Sequence, residues 1–460
     1  MNPSVFKAYD IRGLAPQEID EVMARRLGKV LSELFQPKRV LVGCDMRLTS
    51  PALERALIDG FVASGVQVTR IGLCSTPVFN VSVGLGAGHY DLGVMVTASH
   101  NPGIYNGFKL VHGDCQPIGQ GSGMEAIRER MLSDTPLIDA KVQGSVEGVG
   151  DAIERYIEHV YALAKMPATL PAGSLVADAG NGMNGIVLPK LVAKLRPMDV
   201  YQLYWDLDGS FPHHEANPLK VETLNDLMHA VAKHQSMFGV AFDGDADRVG
   251  FVDEQGAAIP GDILTALLAT ELLQEKKGAT ILYDLRSSWS VPELIREAGG
   301  TPVMCKVGHA HIKRQMRETG AAFAGELSMH FYFADTWNVE SGEYALLLLL
   351  KKMVREKKPL SALWKPLRRY VHSGEINFPV TGRPAEVMSR IEGVYAKQAT
   401  DVSHLDGVRM EFRSEGASAG DWWFSVRTSN TEPLIRLVLE ARSEEVMQQH
   451  KKEMTKLIQG

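Results

Sequence analysis

At 460 residues the chain is too long for one hydrophobic core, because single cores stop growing at roughly 250 to 300 residues, so several domains are expected, about three on length alone. A content of 45% hydrophobic and 23% charged residues is that of an ordinary folded protein and excludes extended disorder. A formal net charge of -6, with Lys and Arg scattered, offers no basic face for nucleic acid or an anionic membrane and favours a small-molecule partner.

The N-terminal run MNPSVFKAYDIRG has no apolar signal region, and the longest apolar run, Tyr344 to Leu350, is stopped by Lys351 and Lys352 well short of a membrane span. A cytoplasmic protein is expected. Cys44, Cys74, Cys115 and Cys305 lie far apart with no CxxC pair, which argues against disulfides and a zinc site. Short apolar, β-branched runs alternate with helical patterns: RVLVGCD, a helix through PALERALIDGFVASG, QVTRIGL, then LGVMVTASHNP. This alternation is an α/β signature. After the Gly-rich QGSVEGVG, a helix with Ile153, Tyr156, Ile157, Val160 and Tyr161 on one face opens a second domain, which puts a boundary near residue 145. SLVADAGNG and ATILYDLRSS repeat the form of RVLVGCD: an apolar strand, a terminal Asp (Asp45, Asp178, Asp284) and a polar turn. Three related α/β domains follow, at 1–145, 146–252 and 253–366, with a smaller and differently patterned one at 367–460.

Four clusters carry chemistry. The strand from Gly93 runs into Thr97, Ala98, Ser99, His100, Asn101 and Pro102, which puts polar residues at the carboxyl end of a strand, where α/β sheets bind ligands. Asn106, Gly107 and Lys109 follow, and an ammonium beside the serine suits an anionic substrate. In FDGDADR, Asp243, Asp245 and Asp247 alternate with Gly244 and Ala246; in an extended loop the three carboxylates would share one side, and their repulsion calls for a hard divalent cation. An EF-hand loop competes, since Glu254 falls at the twelfth position, but Arg248 stands where that loop needs glycine and SMFGVAF precedes it as a strand. GELSMH, from Gly325 to His330, offers a carboxylate, a hydroxyl and an imidazole, as a sugar ring needs. The strand DWWFSVR ends in Arg427, Thr428, Ser429, Asn430 and Thr431, which could wrap a phosphate. Each of the serine, sugar and phosphate clusters also reads as a plain polar turn when taken alone.

Together, FKAYDIRG, TASHNP with NGFK, DGDADR, GELSMH and RTSNTEP resemble the α-D-phosphohexomutase superfamily, in its order and spacing and over the whole chain, most closely the bacterial phosphomannomutase/phosphoglucomutase group. The segment FPHHEANP, Phe211 to Pro218, also looks like a family segment. The resemblance implies an α/β protein of four domains around a central cleft, three of them related mixed α/β domains and the last a smaller α+β domain. It implies conversion between hexose 1-phosphate and hexose 6-phosphate, of glucose or mannose, with glucose 1,6-bisphosphate as intermediate and activator. Ser99 would be the phosphoserine, and Mg2+ would sit on Asp243, Asp245, Asp247 and a phosphoryl oxygen on Ser99. Glu326 and Ser328 would recognise the sugar, and Arg427, Ser429, Asn430 and Thr431 would anchor phosphate. Tyr9, Arg12, Lys109, Arg248, Arg286, His309 and His330 match cleft positions of similar proteins, and His100, Lys109, Arg12 and His330 are assigned to catalysis with Ser99. The base that takes the hydroxyl proton is left open among His330, Lys109 and His309. A monomer acting on small hexose phosphates is expected, with no nucleic acid or membrane partner. Met329 replaces the glycine usual in the sugar loop, which leaves sugar preference open, and Cys44 stands where Arg is common. The competing readings are a phosphoglucosamine mutase, whose similar loop usually has glutamine at the place of Leu327, a phosphoserine hydrolase, and a non-catalytic sugar-phosphate binding protein.

Overall fold

In the computed structural model, which describes residues 1–380, 383–429 and 434–459, the chain builds four separate β-sheets in sequence order. The first has the order β1-β5-β4-β2-β3-β6, from β1 (Ile11–Leu14), β2 (Arg39–Cys44), β3 (Gln67–Leu73), β4 (Leu92–Val96), β5 (Tyr105–His112) and β6 (Val146–Gly148). β4, β2, β3 and β6 run parallel, while β5 is antiparallel to β4 and to β1. The helices α1 (Glu21–Phe35), α2 (Ser50–Ala63), α3 (Thr76–Leu85) and α4 (Met124–Leu132) belong to this unit. α1 starts where the Asp20 carboxylate accepts the Met23 amide at 2.7 Å, and its stripe of Met23, Ala24, Leu27, Val30 and Leu31 is buried. Because β2 and β4 are parallel neighbours, the turns that leave their carboxyl ends, at Asp45 and at Thr97, emerge side by side.

After α5 (Ala152–Ala164) the second sheet has the order β10-β9-β7-β8, from β7 (Ser174–Asp178), β8 (Asp199–Leu203), β9 (Phe238–Phe242) and β10 (Val249–Asp253), with α6 (Asn184–Val192) and α7 (Asn225–His234). The third, after α8 (Gly261–Glu275), has the order β12-β11-β13-β14-β15, from β11 (Thr280–Asp284), β12 (Thr301–Cys305), β13 (Phe323–Gly325), β14 (Phe331–Phe333) and β15 (Val339–Glu340). It carries α9 (Ser290–Glu297), α10 (His309–Thr319), α11 (Gly342–Glu356) and α12 (Leu360–Trp364). The last sheet is antiparallel, from β16 (Val371–His372), β17 (Ile376–Pro379), β18 (Asp401–Ser403), β19 (Val408–Phe412), β20 (Trp422–Thr428) and β21 (Leu434–Ala441), with α13 (Pro384–Tyr395) and α14 (Glu444–Gln459).

Two strands cross the boundaries expected from composition. β6 pairs with β3 through Gly148, past residue 145, and Asp253 still pairs with Phe238 in the second sheet. Within the Gly-rich residues 143–150, Val146–Gly148 close the edge of the first sheet. One continuous apolar cluster runs from Leu41 and Phe79 through Val187 and Phe251 to Leu346 and Trp364, so the second and third units share their core with one face of the first. The C-terminal sheet has its own core, around Phe378, Met410, Phe424 and Leu437. All four cysteines are buried and free.

Candidate active site

The turn after β4 holds Ser99 in left-handed backbone, φ +53, with its amide donating to Thr97 Oγ1 at 3.0 Å. Non-glycine residues in that region cost about 1 to 3 kcal/mol, and such strain clusters at functional sites. The turn is clamped by Arg47, which sequence reasoning missed. From the neighbouring turn after β2 its guanidinium, fully buried, donates to the carbonyls of Pro102 (2.8 Å), Tyr105 (2.9 Å), Ser99 (2.7 Å) and Asn101, and pairs with Asp45 at 3.2 Å. An Arg two residues beyond the strand-ending Asp was the available signal. The Ser99 hydroxyl donates to Asp243 Oδ2 at 3.1 Å and lies 3.3 Å from His100 Nδ1. Burial, then Arg248 and Arg12, holds the His100 imidazole well below its usual pKa.

Asp243, Asp245 and Asp247 are buried, each offering one oxygen within 4.8 Å of the others. They converge through a turn rather than the extended loop expected: the Ala246 amide donates to the Asp243 carbonyl at 3.0 Å and Ala246 has φ +64. Gly244 is required here, since a Cβ on it would stand 2.7 Å from the Ser99 carbonyl oxygen. Glu254, the EF-hand candidate, points elsewhere and accepts the Ser361 amide at 3.1 Å. Lys109 on β5 donates to Asp245 Oδ2 at 2.7 Å and Asp247 Oδ2 at 2.6 Å, and Thr76 Oγ1 to Asp245 Oδ2 at 2.6 Å. Burial, then Asp247 and Asp245, pushes the Asp243 carboxyl well above the usual range. Burial also opposes ionisation of Asp247, but Lys109 and His330 outweigh it and hold that group well below. Asp245 Oδ1 is buried without a hydrogen-bond partner among the described residues. Three hard, crowded, partly unsatisfied carboxylates are a donor set that fits a divalent cation.

The third unit adds the loop after β13. Glu326 is buried and accepts from the Gly308 amide (3.1 Å) and the Tyr332 hydroxyl (2.6 Å), and His330 Nδ1 lies 3.2 Å from it and 3.1 Å from Ser328 Oγ. His330 Nε2 reaches Asp247 Oδ1 at 3.3 Å, which joins the sugar loop to the acidic turn, and the backbones of Arg248 and His330 form a bridge beside it. The Arg248 amide donates to Asp243 Oδ1 at 3.1 Å. Met329 occupies the glycine-like position with φ +65 and is buried. Burial opposes the imidazolium of His330, but Asp247 and Glu326 raise its pKa to about 9. Burial, then Lys313 and Lys109, holds His309 well below its usual value.

Arg12 on β1 donates to Asn101 Oδ1 at 2.8 Å and pairs with Asp10. The Tyr9 hydroxyl reaches the Val307 carbonyl at 3.4 Å and its ring meets His309 edge-on, 5.2 Å between centroids, so the first unit touches the third here. Arg286, after β11, is held by Asp284 at 2.6 Å, lies 3.9 Å from Glu326 and donates to Glu375 at 3.1 Å. Glu375, in the C-terminal unit, also accepts from Arg427 at 3.3 Å. Charged contacts thus run unbroken from Arg427 through Glu375, Arg286, Glu326, His330 and Asp247 to Lys109, linking all four units. Glu375, the last residue of HSGE, was not singled out by sequence. The Ser429 amide donates to the Leu434 carbonyl at 2.8 Å, and Asn430 and Thr431 lie outside the described residues.

A hydroxyl, an acidic triad and convergent cations in one cleft define a site suited to moving a phosphoryl group, for which a protein supplies positioning and charge. The phosphoglucomutase/phosphomannomutase family models match the chain in sequence: alpha/beta/alpha domain I at residues 3–136, domain II at 154–256, domain III at 260–370 and the C-terminal domain at 375–457. A phosphohexose mutase of Xanthomonas campestris is 38% identical, with 100% of both chains covered. A phosphomannomutase of Escherichia coli is 37% identical over 95% of each. A phosphoglucomutase/phosphomannomutase family protein of Burkholderia thailandensis superimposes with a TM-score of 0.88 at 33% identity, covering 99% of this chain and 97% of its own. The chain belongs to the phosphoglucomutase/phosphomannomutase family.

Proposed function

We propose that this phosphohexomutase interconverts hexose 1-phosphates and hexose 6-phosphates, of glucose or mannose, through phosphoserine at Ser99 and a hexose 1,6-bisphosphate. The observation that carries this reading is the Ser99 hydroxyl, 3.1 Å from Asp243 within a buried carboxylate triad. In the first half-reaction a free sugar hydroxyl oxygen bonds to the phosphorus on Ser99, the bond from phosphorus to the serine oxygen breaks, and the hydroxyl proton passes to a base. The bisphosphate then turns over and returns its other phosphate to Ser99, so the net change is isomerisation. Asp243, Asp245 and Asp247 would hold Mg2+, which when bound supplies Lewis-acid stabilisation of the charge on the moving group. Arg12, Lys109 and Arg248 contribute fixed positive charge, Glu326 and Ser328 orient the ring, and Arg427 with Ser429, Asn430 and Thr431 grips the phosphate that is not reacting. Of the three candidate bases, His330 and Lys109 are held protonated by carboxylates, while burial and nearby cations keep His309 neutral but also weaken it as a base.

We further infer a cytoplasmic monomer; no helix among the described residues is long and apolar enough to cross a membrane. The test is a coupled assay with glucose 1-phosphate and mannose 1-phosphate, with and without glucose 1,6-bisphosphate. Isomerisation stimulated by bisphosphate and abolished by chelator is expected. Release of inorganic phosphate without isomerisation, or a clear preference for glucosamine 6-phosphate, would contradict it.

A further inference from the structure

Glu375 sits in a break between two strands that pair with the same partner. β16 ends with His372 opposite Glu440, and β17 begins with Ile376 opposite Leu437. Three residues, 373–375, therefore face two, 438 and 439, on β21. This is a bulge, with Gly374 at φ +68 providing the turn and Ser373 bonded to Leu439 through both its amide and its hydroxyl at 2.9 Å. Bulges re-aim side chains and are common beside active sites. Here the side chain that is re-aimed is Glu375. Its Oε2 accepts from Arg286 at 3.1 Å and Arg427 at 3.3 Å, and its Oε1 accepts from Arg436 at 2.7 Å.

Three guanidiniums thus share one carboxylate. Arg427 and Arg436 lie directly opposite each other on β20 and β21, an arrangement that like charges disfavour. Arg286 has its own carboxylate in Asp284, at 2.6 Å and 3.3 Å, whereas Arg427 pairs with no carboxylate but Glu375 among the described residues. Arg427 is only 4% exposed, and among the described residues its hydrogen bonds are long: 3.3 Å to Glu375 and 3.4 Å to the Thr428 carbonyl. A nearly buried guanidinium, crowded by other cations and loosely bonded, is poised for a further anion. Carboxylate and phosphate oxygens satisfy the same guanidinium fork.

We propose that Glu375 is a built-in stand-in for the phosphate that is not reacting: between turnovers it holds Arg427 and ties the C-terminal domain to Arg286, and an arriving phosphate takes Arg427 over from it. The proposal rests on reading Arg427 as the phosphate anchor. Its chemical consequence is a moderated grip. The bisphosphate must release one phosphate from Arg427 and present the other, and a carboxylate that competes for the same guanidinium makes that release easier. Glu375 is a positioning residue that acts through Arg427 and touches no reacting atom.

The test is calorimetric titration of the full-length protein with inorganic phosphate, and separately with a hexose 6-phosphate, for wild type, Glu375→Gln and Arg427→Ala, alongside steady-state kinetics. Removing the competing charge in Glu375→Gln should tighten phosphate binding about fivefold and lower KM and kcat together, the split expected when release is slowed. Equal or weaker phosphate binding by folded Glu375→Gln, with Arg427→Ala weaker than wild type, overturns the stand-in role and leaves the anchor standing. Wild-type affinity in Arg427→Ala overturns the anchor and the stand-in with it. Should Glu375→Gln fail to fold, Glu375→Asp retracts the charge by one methylene and should still tighten binding, and unchanged or weaker binding there contradicts the proposal equally.

Discussion

Arg47 has no solvent-exposed surface, and its guanidinium serves four carbonyl oxygens of one turn, those of Ser99, Asn101, Pro102 and Tyr105, while pairing with Asp45. A buried cation whose four hydrogen bonds to carbonyls all land on one loop fixes the path of that loop, because any shift of the turn strands either the charge or the carbonyls. Lysine carries the charge but has three N–H groups at one point, so it cannot reach four carbonyls spread along the turn. Arg47→Lys is therefore expected to lose about 2 to 4 kcal/mol of stability, read as a lower urea midpoint, and to slow phosphoryl transfer. A wild-type midpoint with wild-type kcat would show that the turn holds itself.

At the scale of elements, what was legible in the sequence was what a strand and its ending determine locally. The apolar runs ending at Val96 and Phe242 form strands with the chemistry just beyond them, because a buried strand must be apolar until it leaves the sheet. The convergence of Asp243, Asp245 and Asp247 was also legible, but for an incomplete reason. The loop is a turn with Ala246 left-handed, and its closeness to Ser99 depends on Gly244 packing against the serine carbonyl, which is a contact between two domains. Contacts between residues distant in sequence explain the rest of what was missed. Arg47 acts across 52 positions on Ser99, so its place after Asp45 does not reveal its target, and Glu375 acts across 89 on Arg286 with no local signature. Family resemblance supplied Glu326 and Arg286 as cleft residues, and the structure adds what each touches.

For the whole molecule, the continuous core of the first three units contrasts with the separate core of the C-terminal unit, which meets its neighbours through a small cluster of Trp289, Tyr370, Trp423 and Val438 and through the Glu375 ion pairs. Burial opposes ionisation of Glu375, but Arg286, Arg436 and Arg427 outweigh it and lower its pKa. A carboxyl with a lower pKa folded than unfolded adds stability that is present above the ordinary glutamate value, about 4.3, and is lost as pH falls through the depressed one. Thermal unfolding followed from pH 7 into this acid range should show the C-terminal domain losing stability, with Glu375→Gln losing less; an identical acid slope in that variant would remove the ion cluster from domain docking. The central claim is that every unit serves a phosphoryl group carried by Ser99, and peptide mapping of the freshly purified protein by mass spectrometry tests it most directly. Phosphate on Ser99 in a substantial fraction of molecules, removed by sugar phosphate and absent from Ser99→Ala together with mutase activity, is the predicted result. Phosphate on another residue, or full activity in Ser99→Ala, would contradict it.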